Sequence, residues 1–168
     1  PMESIVKTLA KSRALANLIF SILLFGLRVL LGLTAMRFPF FKNLLKEKNL
    51  TVQIKLKDNS RGRYYTLKDG RITSGNGVHP NSDVTIFFAT VQVALDVLLP
   101  PQNRLATVNA MKAFQMGLMG PDELTSWWME TLSLMGSAST KYGANMGKGV
   151  VRYTSNTNGG PVFVYVKD

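Results

Sequence analysis

The sequence predicts an α+β domain: a small, mostly antiparallel sheet covered by helices, preceded by a hydrophobic helical segment. Three observations predict it. Thr51-Val52-Gln53-Ile54-Lys55-Leu56-Lys57 alternates strictly, with Val52, Ile54 and Leu56 on one side and Gln53, Lys55 and Lys57 on the other. Lys68-Asp69-Gly70 is a tight-turn signal between two further β-prone runs. Beyond Phe88, apolar residues recur at helical rather than strand spacing. A meander of half-exposed strands followed by apolar helices leaves one sheet face wet and the other covered.

A chain of 168 residues, 46% hydrophobic and 18% charged, buries a substantial core and is not disordered. With no cysteine there is no disulfide, thiolate metal site or cysteine-ligated cluster. The formal charge is +10. Through Leu50 the cations are Lys7, Lys11, Arg13, Arg28, Arg37, Lys42, Lys46 and Lys48, against Glu3 and Glu47, which leaves eight minus two, or +6. These cations are mixed with the longest apolar run, a combination that suits an anionic membrane surface. They are not interleaved with aromatics on strands, so nucleic acid is the weaker partner class.

In chain order, residues 2–49 form a basic, apolar helical segment. Residues 2–16 read as helix, and Asn17 leads into an apolar run that continues to residue 36. That run falls near the lower limit of the roughly 20 residues needed to span a bilayer, and Arg28 sits inside it. Three placements stay open: packed on the domain, lying in a membrane interface, or spanning. Lys7, Lys11, Arg13, Phe20, Phe25 and Lys42 are the candidate membrane contacts. Phe38-Pro39-Phe40-Phe41 bends the chain, and residues 42–49 read as a short basic helix with Leu44 and Leu45 inward.

Residues 50–136 form the main domain. Its strands are 51–57, 63–67, 72–74 and 83–88, with turn chemistry at 58–62 and 68–71. Val91, Leu95, Leu98 and Leu99 mark a helix that Pro100-Pro101 stops. Residues 103–114 read as helix or turn and 115–120 as a short apolar piece. Gly120-Pro121-Asp122-Glu123 opens a last helix, the two acids favouring its N-terminal dipole. Residues 137–149, small and glycine-rich, read as a linker. Residues 150–168 hold two strand-like runs and read as the start of a following domain.

Catalytic chemistry is sparse. His79 sits in a loop, where a solvated role is the ordinary one. Nothing in the spacing of Ser60, His79 and Asp83 makes a triad. The glycine runs at 75–77 and 147–149 lack the context of a phosphate cradle. What the sequence offers instead is a wall of large, soft apolar groups. Phe88, Leu95, Leu98, Leu99, Met111, Phe114, Met116, Met119, Trp128, Leu132 and Met135 are the candidate lining of a ligand cavity. Methionine suits surfaces that adapt to different apolar partners. Trp127 and Trp128 point to different faces of the last helix, one to the core and one to an opening. Ordinary core packing accounts for these residues equally well on composition alone.

From about residue 51 to 135 the chain resembles the sterol-carrier-protein type two domain. The resemblance rests on the Lys68-Asp69-Gly70 turn, and on Asp83-Val84-Thr85-Ile86 running into an apolar helix. Lys112-Ala113-Phe114-Gln115-Met116-Gly117-Leu118 and the Gly120-Pro121-Asp122 helix start complete it. It implies a five-stranded sheet covered by helices that enclose an apolar cavity, a tunnel for acyl chains, sterols or other lipids. The apolar run departs from that pattern and is similar to helical prefixes of relatives acting near membranes in quinone biosynthesis. The tail, Val150 to Asp168, resembles the opening of molybdopterin oxidoreductases, although the cluster-binding cysteines of many members are missing.

The expectation is therefore a non-catalytic module with no cofactor of its own, binding a lipid, sterol or quinone. It would be cytoplasmic, peripheral to a membrane, and would present its ligand to a following oxidoreductase domain or subunit in which molybdopterin is the implied cofactor. The alternative is an anchoring or interaction module whose cavity is filled by its own N-terminal helix.

Overall fold

The apolar run folds as one long helix because nothing breaks it: from Arg13 to Arg37 there is no proline and the two glycines are isolated. The structure, a computed structural model, describes residues 12–99, 104–137, 150–155 and 161–166, the last two segments as backbone. Helix α1 (Arg13–Arg37) passes through Asn17 without interruption. Pro39 occupies the first turn of α2 (Pro39–Leu45), where its missing N–H costs nothing.

Strands β1 (Leu50–Leu56), β2 (Gly62–Lys68) and β3 (Arg71–Asn76) form the expected antiparallel meander, and β4 (Val84–Phe88) follows. Then come α3 (Val91–Leu98), α4 (Arg104–Lys112), β5 (Met116–Met119) and α5 (Asp122–Ser137). The sheet order is β3-β2-β1-β4-β5. Strand β4 does not extend the meander beside β3. It crosses over and pairs parallel to β1, with Val52 opposite Val84 and Ile54 opposite Ile86. The short apolar piece after Gln115 is the fifth strand, antiparallel to β4.

The crossover is fixed by side-chain bonds. The Asp83 carboxylate accepts the Thr51 N–H at 2.8 Å, and the Asp83 N–H donates to the Thr51 carbonyl at 2.8 Å. Gln53 Nε2 donates to Ser82 Oγ at 2.6 Å and Thr85 Oγ1 at 3.0 Å, and Gln53 Oε1 accepts the His79 N–H at 3.0 Å. Gln53 and Thr85 are consequently buried, so loop 77–83 covers part of the face that strand alternation alone would leave wet. Elsewhere on that face the Tyr64 and Phe87 rings lie across Gly75 and Gly117, their cross-strand partners, where a Cβ would meet the ring.

The opposite face carries Val52, Ile54, Leu56, Tyr65, Leu67, Val84, Ile86 and Phe88, all buried. Helices α1, α2, α3 and α5 contribute buried residues to the same core. Strands β6 (Val150–Ser155) and β7 (Pro161–Val166) pair only with each other, as a separate antiparallel ribbon. Most of the predicted linker, residues 138–149, lies outside the described residues.

Gly120 sets the turn from β5 into α5. Its φ is +138°, and a Cβ there would meet the Asp83 carbonyl. Gly120→Ala is therefore expected to cost about 2–3 kcal/mol, combining left-handed strain with a backbone clash. A urea midpoint within error of the parent would show that this turn relaxes freely.

Candidate functional site

Helix α1 is apolar on two opposite faces. At about 100° per residue, Ala16, Phe20, Leu24, Leu27 and Leu31 share one stripe, and all but the half-buried Leu27 are fully buried. Leu18, Ile22, Phe25, Val29, Leu33 and Met36 form a second stripe diametrically opposite, and all are exposed. The inner stripe packs on β2, β3, α2, α3 and α5. The Tyr65 O–H, itself buried, donates to the Leu24 carbonyl at 2.5 Å. Burial pushes the Tyr65 phenol well above its ordinary pKa, so it stays a neutral donor there.

The interval between sheet and helices, where the resemblance places an apolar tunnel, is occupied by Phe20, Leu24 and Leu31. Phe20, read from the sequence as a membrane contact, is in this interior layer at 0% exposure. Phe25 is on the outer stripe, with the Arg63 guanidinium 5.3 Å from its ring centroid. Arg13 and Lys42 are exposed; Lys7 and Lys11 lie outside the described residues.

The candidate lining residues divide. Phe88, Leu95, Leu99, Met116 and Trp128 are buried, and Leu98, Leu132 and Met135 pack against them half-buried. Met111, Phe114 and Met119 face outward. Phe114 is 81% exposed because it holds the left-handed position (φ +57°) of a Schellman turn closing α4. There the Gln115 N–H donates to the Ala110 carbonyl and the Phe114 N–H to the Met111 carbonyl. Both tryptophans of α5 are buried, rather than one standing at an opening. Trp127 Nε1 donates to Glu47 Oε2 at 3.2 Å, whereas the Trp128 ring stacks on Tyr65. The Trp128 indole N–H has no partner among the described residues.

Among the described residues three clefts open around this core, and none of these three is lined by the residues singled out as a ligand wall. The largest of the three, about 590 Å³, lies between Arg13, Ala16 and Asn17 of α1, the β1–β2 turn, and Ala89 to Gln92. A second, about 300 Å³, continues along α1 past Phe20 and Leu24 to Arg63 and Gly77. The two share Ser60 and Arg61. A third, about 310 Å³, separates α3 from α4. Sequence reading missed the first two because α1 and the β1–β2 turn are far apart along the chain. The polar turn residues carried a sufficient explanation as turn formers.

The imagined triad is not assembled. Ser60 bonds Asp58, Asp83 bonds the Thr51 N–H, and His79 Nδ1 accepts the Asn81 N–H at 3.1 Å while its ring rests edge-on against Tyr64. Of the acids opening α5, Glu123 pairs with Lys48, whose ammonium holds that carboxyl below the usual range.

A five-stranded mixed sheet roofed by helices is the architecture that the sterol-carrier-protein type two resemblance implies. The solved structure of the "UbiJ-SCP2 Ubiquinone synthesis protein" shares it, with a TM-score of 0.50 at 12% identity over 71% of this chain and 96% of that one. A partial likeness to the stereoselective inverting sec-alkylsulfatase Pisa1 from Pseudomonas sp. has a TM-score of 0.36 at 17% identity, over 56% of this chain and 13% of that enzyme, too little to carry an argument. No protein-family model and no curated protein matches the sequence.

Proposed function

We propose that this chain is a non-catalytic binding module for a lipid or other apolar ligand, a quinone or sterol among them, working at the cytoplasmic face of a membrane. The observation that carries the reading is the two-faced apolarity of α1. The inner stripe roofs the apolar sheet face, and the outer stripe leaves six large side chains in water, a costly surface for a helix with no partner. No acidic residue occurs between Ser4 and Lys46, so this surface is complementary to anionic headgroups. The fold supports the ligand assignment, since a protein of ubiquinone synthesis shares it. In the further reach of the proposal, the module presents its ligand to a larger, molybdopterin-dependent oxidoreductase. That part is supported by the resemblance of the tail, whose two strands pair with each other and not with the main sheet.

A second reading is favoured by Phe20, Leu24 and Leu31. If these side chains are permanent occupants of the ligand space, the module is an anchor rather than a carrier. Titration of the intact chain with a fluorescent long-chain probe separates the two. A carrier shows saturable binding with a negative heat-capacity change, because apolar surface leaves water. Absence of saturable binding for acyl, sterol and quinone probes alike would leave the anchor.

A further inference from the structure

We infer that the trough between α1 and the β1–β2 turn seats the anionic headgroup of an amphiphile, a carboxylate or phosphate monoester gripped by Arg13 and Arg61. The inference rests on the apolar-ligand reading and adds the chemistry of the ligand's head.

Size and shape permit it. The two clefts that meet at Ser60 and Arg61 measure about 590 and 300 Å³, within the range of about 300–1,000 Å³ typical of small-molecule sites. Their charge is one-sided. Arg13, Arg61 and Arg63 line them against a single carboxylate, Asp58. That carboxylate is already engaged by the turn: its Oδ1 accepts the Ser60 N–H at 2.9 Å and the Ser60 O–H at 2.6 Å. Arg63 is likewise engaged, donating to Ser74 Oγ at 2.8 Å and lying over the Phe25 ring. Arg13 and Arg61 have no ion-pair partner among the described residues.

Two arginines lining one cleft, one from α1 and one from the β1–β2 turn, suit a planar or tetrahedral oxyanion, whose oxygens accept paired N–H bonds. The wall beside them is apolar. Ala16, Leu56 and Val91 continue the larger cleft, and Phe20 and Leu24 continue the smaller one towards the core. An ion of small size would use the arginines and leave that apolar wall wet. An amphiphile uses both.

The test compares four probes on the full chain by calorimetry, each below its micellar concentration: dodecyl phosphate, dodecanoate, dodecanol and inorganic phosphate. Both anionic amphiphiles are expected to bind at least tenfold more tightly than dodecanol. Arg61→Gln and Arg13→Gln are each expected to remove most of that tenfold advantage and leave dodecanol unchanged. Both positions are exposed, so the fold is retained, which circular dichroism checks. Lys57→Gln, an exposed cation outside the trough, should change nothing. Equal binding of phosphate ester and alcohol overturns the headgroup assignment while the apolar-ligand reading stands. An equal loss in Lys57→Gln overturns it too, by showing a general charge effect. Inorganic phosphate binding as tightly as dodecyl phosphate would make this a free-anion site and overturn the lipid source. No saturable binding by any chain-bearing probe removes the apolar-ligand reading itself.

Discussion

Phe20→Ala is expected to destabilise the domain by about 3–5 kcal/mol, whereas Ile22→Ala, two residues further on, should change it by less than about 0.5 kcal/mol. The contrast follows from the two faces of one helix. Phe20 is 0% exposed between the sheet and its helical roof, and Ile22 is 59% exposed on the outer stripe. Removing the Phe20 ring forfeits its transfer from water and leaves a void that close-packed neighbours refill only in part. Leu24, one turn along, is held by the Tyr65 hydrogen bond, so α1 cannot simply slide inward to close the gap. Domains of this size have about 5–15 kcal/mol to lose. The Phe20 variant should therefore show a much lower urea midpoint at unchanged slope. Equally small effects at both positions would mean that α1 is not seated on the sheet, and the occupied tunnel would have to be abandoned.

Much of the sheet was legible because alternation is a local signal. Val52, Ile54 and Leu56 announce their face without knowledge of any neighbour, and Asp69-Gly70 announces the β2–β3 turn. The parallel pairing of β4 with β1 is not local. It depends on Gln53 and Asp83 making bonds to residues 29 to 32 positions away, and both residues read in isolation as ordinary surface polar groups. Helix α1 was legible as a helix and illegible in orientation, for a physical reason. When both faces are apolar, periodicity cannot say which one turns inward. That ambiguity is how Phe20 and Phe25 came to be grouped together, although they lie on opposite sides.

The candidate site was legible as a composition and not as a place. The methionines and aromatics of residues 88–135 do supply core beneath α1, through Phe88, Met116 and Trp128. Phe114 and Met119 were misplaced by the same criterion, since hydrophobicity does not reveal that a Schellman turn aims Phe114 outward. The arginine trough could not be read at all, because Arg13 and Arg61 come to line one cleft only once α1 lies along the β1–β2 turn. Counting charges yields an expectation for the sign of a partner and says nothing of its seat.

Replacing Leu18, Ile22 and Leu33 together by glutamine is expected to lower partition onto anionic vesicles by more than 100-fold. Each side chain is more than half exposed on the outer stripe. Burying such a group in the acyl boundary is worth roughly 1 kcal/mol or more when immersion is partial. Three together give about 3 kcal/mol, and each 1.4 kcal/mol is a factor of ten. Glutamine keeps helix propensity close to that of leucine, and none of the three positions faces the sheet, so the melting temperature should hold. Residual binding should fall further with salt, because Arg13, Arg37 and Lys42 act through screened attraction. Flotation of parent and variant with vesicles of graded anionic lipid checks this. Undiminished flotation of the variant would remove the stripe from the membrane contact and leave the cations alone responsible. A parent that ignores vesicles but sediments as a dimer, with the triple variant a monomer, would assign the same stripe to a second copy of the chain instead.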